Sequence, residues 1–203
     1  MAEPKIVKTQ KRRQSPVPQR IYELKVTLRE IYPPIWRQVH VRSDTTLAKL
    51  HEVLQFAMGW SNSHLHLFET EDERYGVPDP ELDLHDERRV RLDRLLTRLG
   101  DRMVYEYDFG DSWEHDVVLE RILEPQKGAR YPRVIAGQRA CPPEDCGGVP
   151  GYEEFLSIIA DPRHPEHEEM VEWAGGPFDP EAFDVNQKNR MLHGGWYLPG
   201  PTG

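Results

Sequence analysis

The sequence predicts an α+β fold with a β-grasp-like mixed sheet, one main helix across it, and a mostly irregular C-terminal wrap containing a short helix. Changes in periodicity support this class. Apolar and polar residues alternate near the N-terminus, adopt helical spacing over 43–60, and alternate again over 103–122. The 203 residues suffice to bury one substantial core. We expect a basic disordered leader (1–20), a single domain (21–192) and a C-terminal tail (193–203).

The strands are indicated by alternation bounded by turn residues. Residues 21–28 alternate strictly, and Pro33-Pro34 marks the turn into a second strand, because proline fixes φ and supplies no donor. A short strand is expected over 64–70. Two longer strands, over 103–109 and 113–122, are joined by a turn at 110–112. The order of strand, strand, helix and returning strands favours the β-grasp-like layout.

The main helix is predicted over 43–60, where apolar residues recur every three or four positions. Asp44 or Thr45 is expected to cap it, and Gly59 to end it in a left-handed conformation. Two further helices are expected over 90–100 and 152–160. The proline- and aspartate-rich segment 73–87 and the remainder of the C-terminal third are predicted to be irregular.

Charge is distributed unevenly along the chain. The net charge is −9, yet residues 1–20 carry six basic residues against one acidic residue, Glu3. The acidic remainder disfavours nucleic-acid binding by the folded domain, so nucleic acid is a predicted partner only through the leader. The alternative is a solvated leader without a partner. No apolar run is long enough to span a membrane, and we expect a cytoplasmic protein with reduced cysteines and no membrane partner.

The segment GWSNSHLHLF contains a His-x-His pair. On a strand, His64 and His66 would share one face, which allows both imidazoles to bind one metal ion. The alternative is that each histidine is hydrogen-bonded to backbone or to a carboxylate.

In the segment YEYDFGDSWEH, aromatic residues occupy alternate positions up to a turn at Gly110. Tyr105, Tyr107, Asp108, Asp111 and Trp113 are candidate binding residues, and Asp111 is a candidate acid or base. The alternative is that the two aspartates cap the turn through hydrogen bonds to backbone.

His115 follows this turn on an apolar strand face, where a neutral imidazole needs a partner. It is a candidate general base or metal ligand, and the alternative is a hydrogen bond to a neighbouring strand.

The segment CPPEDCGG places Cys141 and Cys146 on a loop stiffened by two prolines. A tetrahedral zinc site using these thiols would have to recruit histidines, and His64, His66 and His115 are the candidates. Glu144 is a second candidate acid or base. The alternative is a rigid turn in which Glu144 and Asp145 accept hydrogen bonds from the glycine amides.

These segments, with IYELKVTLREIYPPIWRQVHV at the start and FDPEAFD near the end, are similar to the Ri-plasmid ORF-three-like family from about Ile21 to Met191. The resemblance implies an α+β fold and no established activity. Members are often labelled insertion-element passengers or resolvase-like. A serine recombinase needs an arginine cluster around its nucleophile, and none surrounds Ser61, Ser63 or Ser112 in the sequence.

Two functions are therefore predicted. The first is a binding or accessory module, associated with plasmids or mobile elements, whose aromatic and histidine-rich sheet surface recognises a protein, peptide or small ligand. The second is a zinc-dependent enzyme with a composite His/Cys site. The chain contains no GxGxxG, Walker, HExxH or GxSxG motif, so the families that depend on them lose support.

Overall fold

The computed structural model describes residues 19–79 and 81–194. The predicted leader lies almost wholly outside these residues, as does the predicted tail. Within them the α+β class is confirmed by one eight-stranded mixed sheet and five helices. The strands are β1 (Ile21–Leu28), β2 (Trp36–Arg42), β3 (His66–Glu69), β4 (Arg74–Gly76), β5 (His85–Asp86), β6 (Arg102–Tyr107), β7 (Trp113–Leu123) and β8 (Arg133–Gln138). The helices are α1 (Leu47–Met58), α2 (Leu92–Leu95), α3 (Gly148–Ala160), α4 (His167–Trp173) and α5 (Val185–His193).

The strand order is β5-β4-β3-β6-β7-β1-β2-β8. Every neighbouring pair is antiparallel except β4 and β5, which are parallel. The long strand β7 lies in the middle and bonds to β6 on one side and β1 on the other. The sheet is therefore mixed, as expected, whereas the β-grasp-like description is not confirmed.

Helix α1 packs its apolar stripe on the sheet. Leu47, Leu50 and Leu54 are buried in the same core as the inward-facing residues of β1 and β6. The N-cap is Thr46 and not the predicted Asp44 or Thr45, because the Thr46 hydroxyl accepts the N–H of Lys49, and the helix begins at Leu47. No described helix combines the length and the apolar character that crossing a bilayer demands.

The predicted helix over 90–100 is reduced to the single turn α2. The Asp101 carboxylate accepts the N–H groups of Thr97 and Arg98 at 2.7 and 2.8 Å, which satisfies these donors outside a helix. The Leu96 carbonyl accepts a hydrogen bond from the buried Tyr22 hydroxyl at 2.9 Å. Tertiary contacts therefore override the local helical pattern.

The C-terminal third is more regular than predicted, since it contains β8, α4 and α5 besides α3. Aromatic contacts hold this part on the core. Phe178 packs edge-on against Phe155 of α3 at a centroid distance of 5.2 Å, and Phe183 lies 4.5 Å from the Arg37 guanidinium. Such contacts offset the entropy cost of ordering the segment.

The outer edge of β8 is closed by one side chain of α5. The Asn189 amide oxygen accepts the Val134 N–H at 2.9 Å, and its nitrogen donates to the Val134 carbonyl at 2.8 Å. Edge strands with free backbone groups pair readily with other chains.

We expect Asn189→Leu to lower the free energy of unfolding by about 1–2 kcal/mol and to increase self-association, measured by denaturation and sedimentation. The matched control is Asn186→Leu on the exposed face of α5, which should change neither.

Candidate functional site

Three segments meet at one end of the sheet: the loop from α1 to β3, the turn from β6 to β7, and the loop over 141–147. Glu144 joins them, because its carboxylate accepts the Ser61 N–H at 3.0 Å, the Ser61 hydroxyl at 2.6 Å and the Tyr107 hydroxyl at 2.6 Å. Asp111 accepts the Gly147 N–H at 3.2 Å. The fold thus brings the segments YEYDFGDSWEH and CPPEDCGG together.

A group of possible metal ligands forms at this junction. The His64 Nε2 atom lies 3.1 Å from Asp145 Oδ1 and 3.6 Å from Asp108 Oδ2. One ligand atom from each of the three residues lies within 4.8 Å of the others, and no other such group occurs within 19–79 and 81–194. The Nε2 atom is buried and has no hydrogen-bonding partner among the described residues, despite these short distances. The three ligand atoms therefore crowd together without bonding to one another.

The backbone around the group fixes these side chains. Asp108 and Asp145 adopt left-handed φ angles of 61° and 60°, a conformation that aspartate tolerates better than most residues. Asp108 Oδ1 accepts the Gly110 N–H at 3.0 Å, which leaves Oδ2 facing His64. The Tyr107 hydroxyl accepts the His64 N–H at 3.3 Å and holds the start of the histidine segment.

One imidazole and two carboxylates suit a divalent cation. Imidazole binds zinc, iron and nickel well, whereas carboxylates bind manganese and magnesium well. Asp108 is buried and Asp145 is exposed, so the group opens to solvent on one side. Three protein ligands would leave coordination positions for water or another ligand.

The composite site predicted from His64, His66, His115, Cys141 and Cys146 is not assembled, since only His64 belongs to the converging group.

The two other histidines of that set have other partners. His66 Nε2 lies 2.8 Å from Glu87 Oε2, and its ring stacks on His51 at a centroid distance of 3.4 Å. His115 has no carboxylate partner among the described residues, because its Nδ1 atom bonds to the Tyr105 carbonyl at 3.1 Å.

The two cysteines are partly buried and pack against the core. Burial raises the pKa of the Cys141 thiol and of the Cys146 thiol to about 12 in each case. Both thiols are therefore protonated near neutral pH, and neither belongs to the converging group.

The aromatic residues predicted to form a recognition surface lie in the core. Tyr105 and Tyr107 are 0% exposed and Trp113 is 1% exposed. The alternation of β6 and β7 directs these three rings into the core, and Phe109 at the tip of the turn is the ring of this segment that reaches solvent. Of the predicted binding residues, Asp108 belongs to the group of possible metal ligands and Asp111 holds the 141–147 loop.

A buried polar network lies beside the site. His51 bonds through Nδ1 to the Tyr105 hydroxyl at 2.8 Å and through Nε2 to the Asn62 amide oxygen at 2.7 Å. The Gln55 amide donates to the same hydroxyl at 2.9 Å. Burial lowers the pKa of His51 to about 3, so the ring is neutral and the network is structural. These residues were not predicted, although His51 and Gln55, two polar residues four positions apart on the buried face of α1, were a readable signal.

The model of the plasmid pRiA4b ORF-3-like protein family matches residues 20–187. The chain belongs to this family. It is 42% identical over 176 residues to the uncharacterized protein y4hQ of Sinorhizobium fredii, covering 85% of this chain and 90% of that protein. These matches confirm the resemblance seen in the sequence.

The fold of this family member is similar to the crystal structure of the protein of unknown function MM3350 from Methanosarcina mazei Go1. The TM-score is 0.78 and the identity 37%, covering 84% of this chain and 97% of that one. Neither relative has a stated activity, and only the family's name refers to a plasmid.

Proposed function

We propose that this protein is a metal-binding accessory module that holds a divalent cation between His64, Asp108 and Asp145. The observation that carries the proposal is the buried Nε2 atom of His64, which lies within 3.6 Å of two carboxylate oxygens but has no hydrogen-bonding partner among the described residues. A buried polar atom without a partner is costly, and a cation would satisfy it together with both carboxylates. An association with plasmids or mobile elements is part of the proposal and rests on the family's name alone.

The surroundings support binding more than catalysis. Glu144 and Asp111, the two candidate acids or bases, already accept hydrogen bonds that hold the 141–147 loop. Their role in the proposal is to position Asp145. Because both cysteines are free thiols, we also propose the cytoplasm as the compartment.

A metal-dependent hydrolase is the second candidate. Catalytic zinc sites keep three protein ligands and one open position for water, and three ligands converge in this protein. An ion bound here would supply a Lewis acid and an activated water. The exposed side of the group, at Asp145, gives a substrate a route of approach.

The proposal is tested by metal uptake. Protein purified without an affinity tag, stripped with chelator and dialysed against Zn²⁺ or Mn²⁺ should retain about one ion per chain, measured by elemental analysis and calorimetry. His64→Ala and Asp108→Asn should each weaken binding by at least about tenfold, because each removes a ligand. His164→Ala, at a partly exposed histidine outside the group, should bind as the wild type does.

Wild-type uptake no greater than that of His64→Ala would contradict the proposal. The same preparations separate the two candidates when they are assayed with an activated phosphate ester. Metal-dependent turnover that Asp108→Asn abolishes would favour the hydrolase, and metal binding without turnover would favour the accessory module.

A further inference from the structure

A cavity with one buried and one half-buried basic side chain lies at the C-terminal end of α1, between the 141–147 loop and α5. Its volume is about 630 Å³. Arg37 and Lys188 line it together with the aromatic rings of Trp60, Phe178 and Phe183. It is therefore a pocket with a cationic part and an apolar wall.

Arg37 is 1% exposed, and its bonds go to backbone. Its Nε atom donates to the Ala57 carbonyl, and Nη1 donates to the carbonyls of Trp36 and Gln138, each at 2.8 Å. Within residues 19–79 and 81–194 it forms no ion pair, and Nη2 has no acceptor. Buried charges in proteins are normally paired, so this guanidinium lacks an expected counter-ion.

Lys188 brings a second positive charge to the same place. Its Nζ atom donates to the Met58 carbonyl at 2.9 Å. The same atom lies against the backbone of Gly59: a Cβ atom at position 59 would be only 2.6 Å from Nζ. Burial lowers the pKa of Lys188 to about 8, so it is still mostly charged at pH 7. The neighbouring Cys141 thiol, with a pKa near 12, does not neutralise it.

The carbonyls at the end of α1 do not balance these charges. A helix C-terminus carries about half a negative charge, whereas two basic side chains bring about two positive charges. The lining also contains three carboxylates, which keep their negative charge: Glu144 accepts from Ser61 and Tyr107, and Asp179 and Asp184 each accept the N–H group two residues further along. Among the described residues none of the three forms an ion pair with Arg37 or Lys188, and Asp184 lies near Arg190 instead. The buried guanidinium therefore has no counter-ion in contact with it.

We propose that this cavity binds the anionic group, a phosphate or a carboxylate, of a small molecule whose apolar part lies against the aromatic wall. Arg37 would hold the anion through its Nη2 hydrogens, and Lys188 would contact it through Nζ. The ring of Phe183, 4.5 Å from the guanidinium, fixes the orientation of Arg37.

The probes are phenyl phosphate and benzoate, each titrated calorimetrically into the full chain in the presence of chelator. Because no metal is needed, failure of the metal proposal would leave this result intact. We expect saturable binding of at least one probe, and weakening of roughly tenfold or more in Lys188→Met through loss of a charge-assisted bond. Tighter binding of phenyl phosphate would identify a phosphate ligand, and tighter binding of benzoate a carboxylate.

The matched control is Lys49→Met, at an exposed lysine of α1 that pairs with Glu52 outside the cavity, and it should bind as the wild type does. Arg37→Lys keeps the positive charge but loses the planar guanidinium with its Nη2 donor, so it should also weaken binding. A wild type that binds neither probe at millimolar concentration would overturn the inference. A second result would also overturn it: a Lys188→Met variant that is less stable than the wild type but binds the probes with unchanged affinity. Lys188 would then only cap the C-terminus of α1.

Discussion

Gly151→Ala is expected to lower the free energy of unfolding by about 3 kcal/mol or more. Gly151 lies in the first turn of α3, and a Cβ there would overlap the carbonyl oxygen of Cys146. The loop cannot easily retreat, because Asp111 holds the Gly147 N–H and a Cβ on neighbouring Gly148 would lie 2.6 Å from the Asp111 carbonyl oxygen. Chemical denaturation with a constant m-value measures the loss.

The matched control for this variant is Gly100→Ala. Gly100 has a φ of 89° but open space where a Cβ would be, so its replacement costs about 1 kcal/mol for the backbone conformation alone. In the proposed metal-binding module, Gly151→Ala should also weaken metal affinity, since Asp145 lies on the displaced loop, whereas Gly100→Ala should not. Equal stability of the two variants would contradict the close contact between α3 and the loop.

Acid is expected to destabilise the fold through His115. Burial lowers the pKa of His115 to about 4, below the ordinary imidazole value of 6.5. Between these two values the unfolded chain binds a proton that the folded chain does not, so stability falls as the pH drops below about 6.5 and the loss is complete near pH 4. The difference corresponds to about 3 kcal/mol. His51, with a pKa lowered to about 3, adds to the loss in the same direction.

The contribution of His115 is isolated by His115→Asn. The asparagine nitrogen replaces Nδ1, which bonds to the Tyr105 carbonyl, and removes the titrating ring. We expect the unfolding free energy of this variant, followed from pH 7 to pH 4, to fall by about 3 kcal/mol less than that of the wild type. His164→Asn should follow the wild type. Parallel curves for wild type and His115→Asn would contradict the assigned role of burial.

Much of the fold could be predicted because its central elements have strong local patterns. β1, α1, β6 and β7 each bury a face at a regular spacing, and their predicted positions agree with the structure to within a few residues. The errors occur where distant contacts decide. The 90–100 segment has helical spacing, yet side chains from outside it bond to its backbone: Asp101 accepts the Thr97 N–H, and the Tyr22 hydroxyl donates to the Leu96 carbonyl. Helix α5 has no buried residue, so its apolar pattern was too weak to read.

The candidate site was predicted in part for the same reason. His64 and Asp108 were singled out on their own segments, and the structure brings them together. Asp145 was weighed only as a turn residue, because its exposure and left-handed backbone carry no periodic signal. Four further residues were predicted because their side chains can bind metal: His66, His115, Cys141 and Cys146. They lie outside the group, because the two histidines bond to other partners and the two cysteines pack against the core.

The hydrogen bond between Ser61 and Glu144 spans 83 positions of sequence, and it brings Asp145 to the end of the sheet. On the ribosome, a nascent chain can pair β1, β2, β6 and β7 before the 141–147 loop has emerged. The junction therefore forms only after the central strands have been synthesised, and its assembly follows that of the sheet on which it lies.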